Sequence, residues 1–234
     1  MSDRRPVILI AAHGERGGAA NNQRLASLVE AVSGMIPEAD VGSVLVSVEG
    51  VVPAALAACE DRPVICLPLL FSDGFFMTER LKPYFHGDSR HLARPFVFWP
   101  RFAPFLADNL ALRLISRAVD PRVILIAHGS QRSSRSAEGA RYVGSRLAAR
   151  YGQVEVGFLE QAPFAADVIA FAEPPYAAVG LFFGDGLHGG EDFDVLVGGA
   201  PRLPVAAFTV GDIPSLSALV ADEARVMLER LPLG

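Results

Sequence analysis

The sequence predicts an α/β protein made of two tandem halves, each a mostly parallel four-stranded sheet flanked by helices. Three observations carry this reading. The chain repeats itself, its apolar runs are short and continuous like those of central strands, and those runs alternate regularly with helical patterns.

The repeat comes first. Val7-Ile-Leu-Ile-Ala-Ala-His13-Gly14 returns as Val123-Ile-Leu-Ile-Ala-His128-Gly129, with one alanine fewer. Val44-Leu-Val-Ser-Val-Glu49 is answered by Val154-Glu-Val-Gly-Phe-Leu-Glu160. Leu70-Phe71-Ser-Asp73-Gly74-Phe75-Phe76 is answered by Phe182-Phe183-Gly-Asp185-Gly186-Leu187-His188. The three pairs lie 115, 111 and 112 residues apart in the same order, so the chain reads as a tandem duplication. Asp120-Pro121-Arg122 is the natural boundary because proline stops the preceding helix, giving halves 1–120 and 121–234.

Within each half the elements follow in order. Residues 7–12 and 123–127 are β-branched runs bounded by polar residues and glycine, as expected for parallel strands covered on both faces. Helical patterns follow at 22–32 and 137–150. Second strands are expected at 42–48 and 154–159, third strands at 63–70 and 177–183, and fourth strands at 96–99 and 205–209. A helix at 53–59 follows the second strand of the first half, and helices at 103–118 and 214–231 close the two halves. Strand–helix alternation implies right-handed crossovers and a flavodoxin-like or Rossmann-like arrangement.

The 234 residues are 51% hydrophobic and 20% charged, a globular composition long enough for two small cores. A net charge of −5 offers no basic field for nucleic acid or an anionic membrane surface. Cys59 and Cys66 lie in apolar surroundings and read as buried small side chains, not as a disulfide or a metal pair. The run 7–12 is too short for a secretory signal or a bilayer span, so a cytoplasmic location is expected.

Ligands of open α/β sheets bind beyond the carboxyl ends of the strands. In the C-terminal half His128, Glu160 and His188 follow the first, second and third strands. Two imidazoles and a carboxylate form a set suited to Fe, Co, Ni or Zn. Singly, each also reads as an ordinary loop residue, and Glu160 as a helix-start charge ahead of Pro163; three together at strand tips favour a site. The N-terminal half keeps His13 and Glu49 but has Phe76 where His188 falls, so it reads as degenerate.

Ile126-Ala-His128-Gly-Ser, Phe158-Leu-Glu160 and Gly186-Leu-His188-x-x-Glu-Asp192 resemble the class II tetrapyrrole chelatases, specifically the two-repeat form of the CbiX/SirB sirohydrochlorin chelatases, over almost the whole chain. The resemblance implies two chelatase-like domains facing each other across a cleft. It also implies insertion of a divalent metal, Co2+ or Fe2+, into a tetrapyrrole for cobalamin or siroheme biosynthesis. His128 and His188 would bind the metal and take the pyrrole protons, and Glu160 would assist. The metal is then a substrate, and no prosthetic group is expected. Arg132, Arg135 and Arg141 are candidates for pairing with the macrocycle's carboxylates, as they are for a solvated helix face. His13 and Phe76 would line the substrate from the other half, with Arg16 and Arg24 nearby. One intact site per chain makes a monomer sufficient, with no nucleic acid or membrane partner.

Other readings are weaker. Gly184-Asp-Gly186-Leu-His-Gly189 has dinucleotide-fingerprint spacing but follows a third strand rather than opening a first βα unit. Ala-His13-Gly-Glu-Arg16 lacks the arginine that a phosphohistidine nucleophile needs beside it. A non-catalytic tetrapyrrole- or metal-binding descendant of a chelatase is the alternative that only turnover separates.

Overall fold

The computed structural model describes residues 5–14, 22–117, 119–131, 133–184 and 190–231. It contains two four-stranded sheets, all parallel, ordered β2-β1-β3-β4 and β6-β5-β7-β8. The strands are β1 (Val7–Ala12), β2 (Asp40–Leu45), β3 (Val64–Pro68) and β4 (Arg90–Leu92), then β5 (Arg122–Ala127), β6 (Val154–Phe158), β7 (Tyr176–Gly180) and β8 (Ala206–Thr209). The helices are α1 (Gln23–Met35), α2 (Val51–Ala58), α3 (Phe102–Leu114), α4 (Arg135–Tyr151), α5 (Ala165–Ala170), α6 (Gly190–Gly198) and α7 (Leu216–Leu228). In each sheet the chain passes outward to the second strand and then crosses to the other side of the first. That reversal of direction opens a crevice at the strand tips.

Burial follows the expected pattern. Every residue of β1, β3 and β7 is buried, whereas the outer strands β2 and β4 are mostly half-exposed. Helix α1 begins where the Asn22 side chain accepts the Leu25 N–H at 2.7 Å, and it buries Leu25, Leu28 and Val32 along one stripe. The first core gathers Leu9, Ala11, Val44, Leu56, Cys66 and Leu81; the second gathers Ile124, Ile126, Ile169, Tyr176, Phe182 and Phe193. Cys59 and Cys66 are both buried and free, and burial pushes both thiols above their usual range. No described helix is long and apolar enough to cross a membrane.

One expectation needs correction. The apolar run at 96–99 is not the fourth strand of the first half. Phe96–Phe98 forms a 3-10 turn, and the strand is Arg90–Leu92, with Arg90 opposite Val64 and Leu92 opposite Cys66. Pro95 and Pro100 bracket the run, and its burial comes from side-chain packing such as the Phe71–Phe96 ring contact at 5.7 Å.

Clustered by contacts, the described residues form two compact units. One unit comprises Met1–Phe96 with Pro214–Gly234, the other Val97–Ile213. Helix α3 packs on α4 and β8, while α7 packs on α1 and β3, so the helix that follows each fourth strand belongs to the other unit. Amphipathic periodicity specifies a buried face but not which sheet covers it.

Two local features carry predictions. Gly157 in β6 lies so close to α5 that an added Cβ would stand 2.7 Å from the Ala165 Cα, a backbone atom. Gly157→Ala should therefore destabilise the protein by about 1–3 kcal/mol through overpacking, read as a lower midpoint in urea. At the start of β2, Arg62 donates a hydrogen bond to Asp40, and Arg5 lies 3.0 Å from the same carboxylate. The Arg62 hydrogen bond is the main reason the Asp40 carboxyl titrates below its usual range. A depressed folded pKa stabilises the protein above the unfolded value, and that contribution disappears as pH falls through the folded one. Wild type should thus melt above Asp40→Asn at neutral pH, and the difference should shrink in acid below about pH 4.

Candidate metal and tetrapyrrole site

The tips of β5 and β6 bring His128 and Glu160 together. The parallel ladder runs on past the strand ends: the Leu159 N–H donates to the Ala127 carbonyl at 3.0 Å and the Glu160 N–H to the His128 carbonyl at 2.9 Å. The two side chains follow, with Nδ1 of His128 3.6 Å from Oε2 of Glu160. Both are a little under half exposed, at 42% and 47%, so they are reachable from solvent but held by backbone on one side.

The imidazole's orientation has a chemical consequence. Nδ1 lies 3.0 Å from the Gly129 carbonyl and faces the Glu160 carboxylate. Both partners can only accept, so Nδ1 must carry the hydrogen. In the neutral ring Nε2 therefore carries the lone pair, and it is the atom through which such an imidazole binds a metal ion or takes a proton. The turn that fixes this geometry is tight. Gly129 has φ +72°, and a Cβ there would stand 2.7 Å from Cγ of Gln161 and 2.9 Å from Cβ of Phe158. The Gln161 side chain accepts the Ser130 N–H at 2.7 Å and ties the turn after His128 to the turn after β6.

Arg135 opens α4 and is exposed; Arg141, one and a half turns on, places its guanidinium 5.7 Å from the centroid of the Phe158 ring. Arg141 thus stands over the last residue of β6, two residues before Glu160. His188 and Arg132 lie outside the described residues, as do Arg16 and Asp185. Among the described residues no three His, Cys, Asp or Glu side chains form a metal-binding group; the assembled pair is His128 and Glu160.

The first unit shows what the same strand tips look like without that pair. His13 follows β1, and its Nδ1 likewise faces a carbonyl, that of Gly14 at 2.8 Å. Phe76, which opens a π-helical turn over Phe76–Leu81, meets the His13 ring edge-on at 4.6 Å. Glu49, however, is not the counterpart of Glu160. Ala12 pairs with Leu45 and Ala127 with Phe158, so the position two residues beyond is Ser47 in one unit and Glu160 in the other. Ser47 accepts the Gly14 N–H at 3.0 Å, whereas Glu49 reaches Arg80 at 3.5 Å. The first unit therefore lacks the carboxylate as well as the second imidazole at these positions.

Solved structures share this architecture. A CbiX described as the terminal enzyme for biosynthesis of siroheme in denitrifying bacteria matches with a TM-score of 0.78 at 24% identity, covering 94% of this chain and 98% of that one. SirB from Bacillus subtilis with Fe3+ matches with a TM-score of 0.70 at 15% identity over 97% of this chain and 98% of its own. SirB from Bacillus subtilis subspecies spizizenii in complex with cobalt gives 0.68 at 16% identity, covering 96% of each chain. The fold is that of the sirohydrochlorin chelatases. No protein-family model and no curated protein sequence matches the chain.

On the chelatase fold, sequence reasoning missed Gln161 and Ser47. Gln161 had a usable signal, since a glycine directly after a strand-end histidine implies a left-handed turn that needs a polar partner. Ser47 had none, because the aligned glutamates mask the sheet register that decides the equivalence.

Proposed function

We propose that this protein is a sirohydrochlorin chelatase that inserts a divalent metal, Co2+ or Fe2+, into the macrocycle with release of two protons. The observation that carries the reading is the His128–Glu160 pair at the strand tips of a chelatase fold. His188, placed by the sequence motif after the third strand of the same half, is the second imidazole.

The residues suit the reaction. Metal insertion displaces two pyrrole N–H protons, which calls for bases titrating near neutrality. Nδ1 of His128 faces the Glu160 carboxylate, which orients the ring for proton transfer at Nε2. A site of few ligands, half open to solvent, holds the incoming ion loosely enough to release it to the macrocycle. Arg141 and Arg135, with Arg132 in the preceding turn, supply planar guanidinium groups for the macrocycle's carboxylates. The metal is a substrate, no prosthetic group is required, and with one intact set per chain a monomer is the working unit. Insertion of cobalt would serve corrinoid synthesis and insertion of iron would serve siroheme.

The test is anaerobic incubation of sirohydrochlorin with Co2+, Fe2+ or Ni2+, following macrocycle absorbance against a protein-free control. Acceleration that His188→Ala abolishes is the expected result, and the relative rates identify the metal. No acceleration with any metal would contradict the reading and leave a binding role without turnover.

A further inference from the structure

Where the backbones of the two strand-tip segments part, a side chain continues the pairing. The Leu159 and Glu160 N–H groups donate to the Ala127 and His128 carbonyls. The next link is the Gln161 carboxamide, whose oxygen accepts the Ser130 N–H at 2.7 Å. The segment is closed on its other side by the Phe158 N–H, which donates to the Pro163 carbonyl at 2.9 Å. A Cβ on Gly129 would stand 3.2 Å from the Gln161 carboxamide carbon, so the amide lies against the residue that follows His128. All of these groups belong to the second unit.

The Ser130 bond fixes which way the amide is turned. Only a carboxamide oxygen can accept from a backbone N–H, so the nitrogen and its hydrogens are on the other side. Among the described residues no group accepts from that nitrogen, although Gln161 is half-buried. The donors are thus held beside the His128 turn without a protein partner. Their neutrality matters. A lysine or arginine here would pair with Glu160 or repel an incoming M2+, whereas an amide binds an anion without doing either. Positive charge comes instead from Arg141, whose guanidinium stands 5.7 Å from the Phe158 ring centroid. Phe158 borders the same turn, since its Cβ would lie 2.9 Å from a Cβ on Gly129.

We propose that Gln161 is a substrate-binding residue, its carboxamide nitrogen donating to a carboxylate substituent of the tetrapyrrole near the Arg141 guanidinium. One side chain then has two tasks: its oxygen holds the turn that carries His128, and its nitrogen holds the macrocycle. Because the oxygen end is fixed beforehand, the donors are oriented before the ligand arrives and little ordering cost falls on binding. The proposal rests on the tetrapyrrole reading of the second unit.

Metal-free sirohydrochlorin is titrated anaerobically into full-length wild type, Gln161→Glu and Gln161→Met, following the macrocycle's fluorescence. Gln161→Glu keeps an oxygen for the Ser130 N–H but loses the donors. It should melt like wild type and bind Co2+ at least as tightly by calorimetry, while its Kd for sirohydrochlorin rises about tenfold. That ratio should persist in about 1 M salt, where the Debye length is about 3 Å and a long-range repulsion is screened out. Gln161→Met loses the turn bond as well, so its melting temperature should fall and its Kd should rise without any added charge. A residue that only anchors the turn predicts a wild-type Kd in Gln161→Glu. That result, or a Gln161→Glu ratio that returns to one in high salt, would overturn the proposal and leave the chelatase reading standing. A wild type that does not bind sirohydrochlorin overturns both.

Discussion

Replacing His128 by alanine should slow metal insertion by about a hundredfold or more, because it removes a base from a reaction that must shed two protons. The geometry makes the effect specific. Both neighbours of Nδ1 are acceptors, so the lone pair of the neutral ring is on Nε2, and no described residue of the same unit duplicates that imidazole at the tip of β5. Glu160→Gln should cost less, about tenfold, since it leaves the imidazole in place and changes only the group that faces Nδ1 and orients the ring. The two losses should not add, because Glu160 acts through His128. Initial rates for the two single variants and the double variant, followed by macrocycle absorbance, check all three statements.

Gly129→Ala should be the most damaging small substitution near the site. At φ +72° a Cβ costs about 1–2 kcal/mol in backbone strain, and forcing it against the Gln161 and Phe158 side chains adds about 1–3 kcal/mol. Gln161 can yield only by giving up the Ser130 N–H, which loosens the turn that carries His128. Expected together are a fall in melting temperature of about 5–15 °C, at a few degrees per kcal/mol for a chain of this size, and a fall in insertion rate larger than the stability loss explains. Gln161→Ala separates the two effects. It removes the obstacle and the hydrogen bond while keeping Gly129, so its rate should fall with a smaller change in melting temperature. A Gly129→Ala protein that melts and turns over like wild type would show that the turn does not position His128.

Much of the architecture was legible because burial leaves a mark on composition. The central strands β1 and β5 read as unbroken apolar runs since both faces are covered, and the histidine that ends each run marks the strand tip. Order along the chain gave the parallel sheets. What composition cannot encode is the partner. The closing helices α3 and α7 carry apolar faces, yet each packs within the unit whose sheet comes from the other half of the sequence, and nothing in a stripe names its sheet. The short outer strand β4, with charged and half-exposed residues, was hidden beside a more apolar run that forms a turn.

The site divides along the same line. His128 and Glu160 were legible from their positions at strand ends, and the ladder that extends past β5 and β6 brings them within 3.6 Å. The matching of Glu49 with Glu160 failed because sheet register, and not letter identity, sets which residue faces the first strand's histidine.

On the proposed function, the second unit holds the metal ion and the first does not. Calorimetric titration of anaerobic protein with Co2+, in the absence of macrocycle, decides this, using wild type, His128→Ala and His13→Ala. Expected are one Co2+ per wild-type chain, loss of that binding in His128→Ala, and its retention in His13→Ala. Two equivalents per chain, or binding that survives His128→Ala and disappears with His13→Ala, would contradict it.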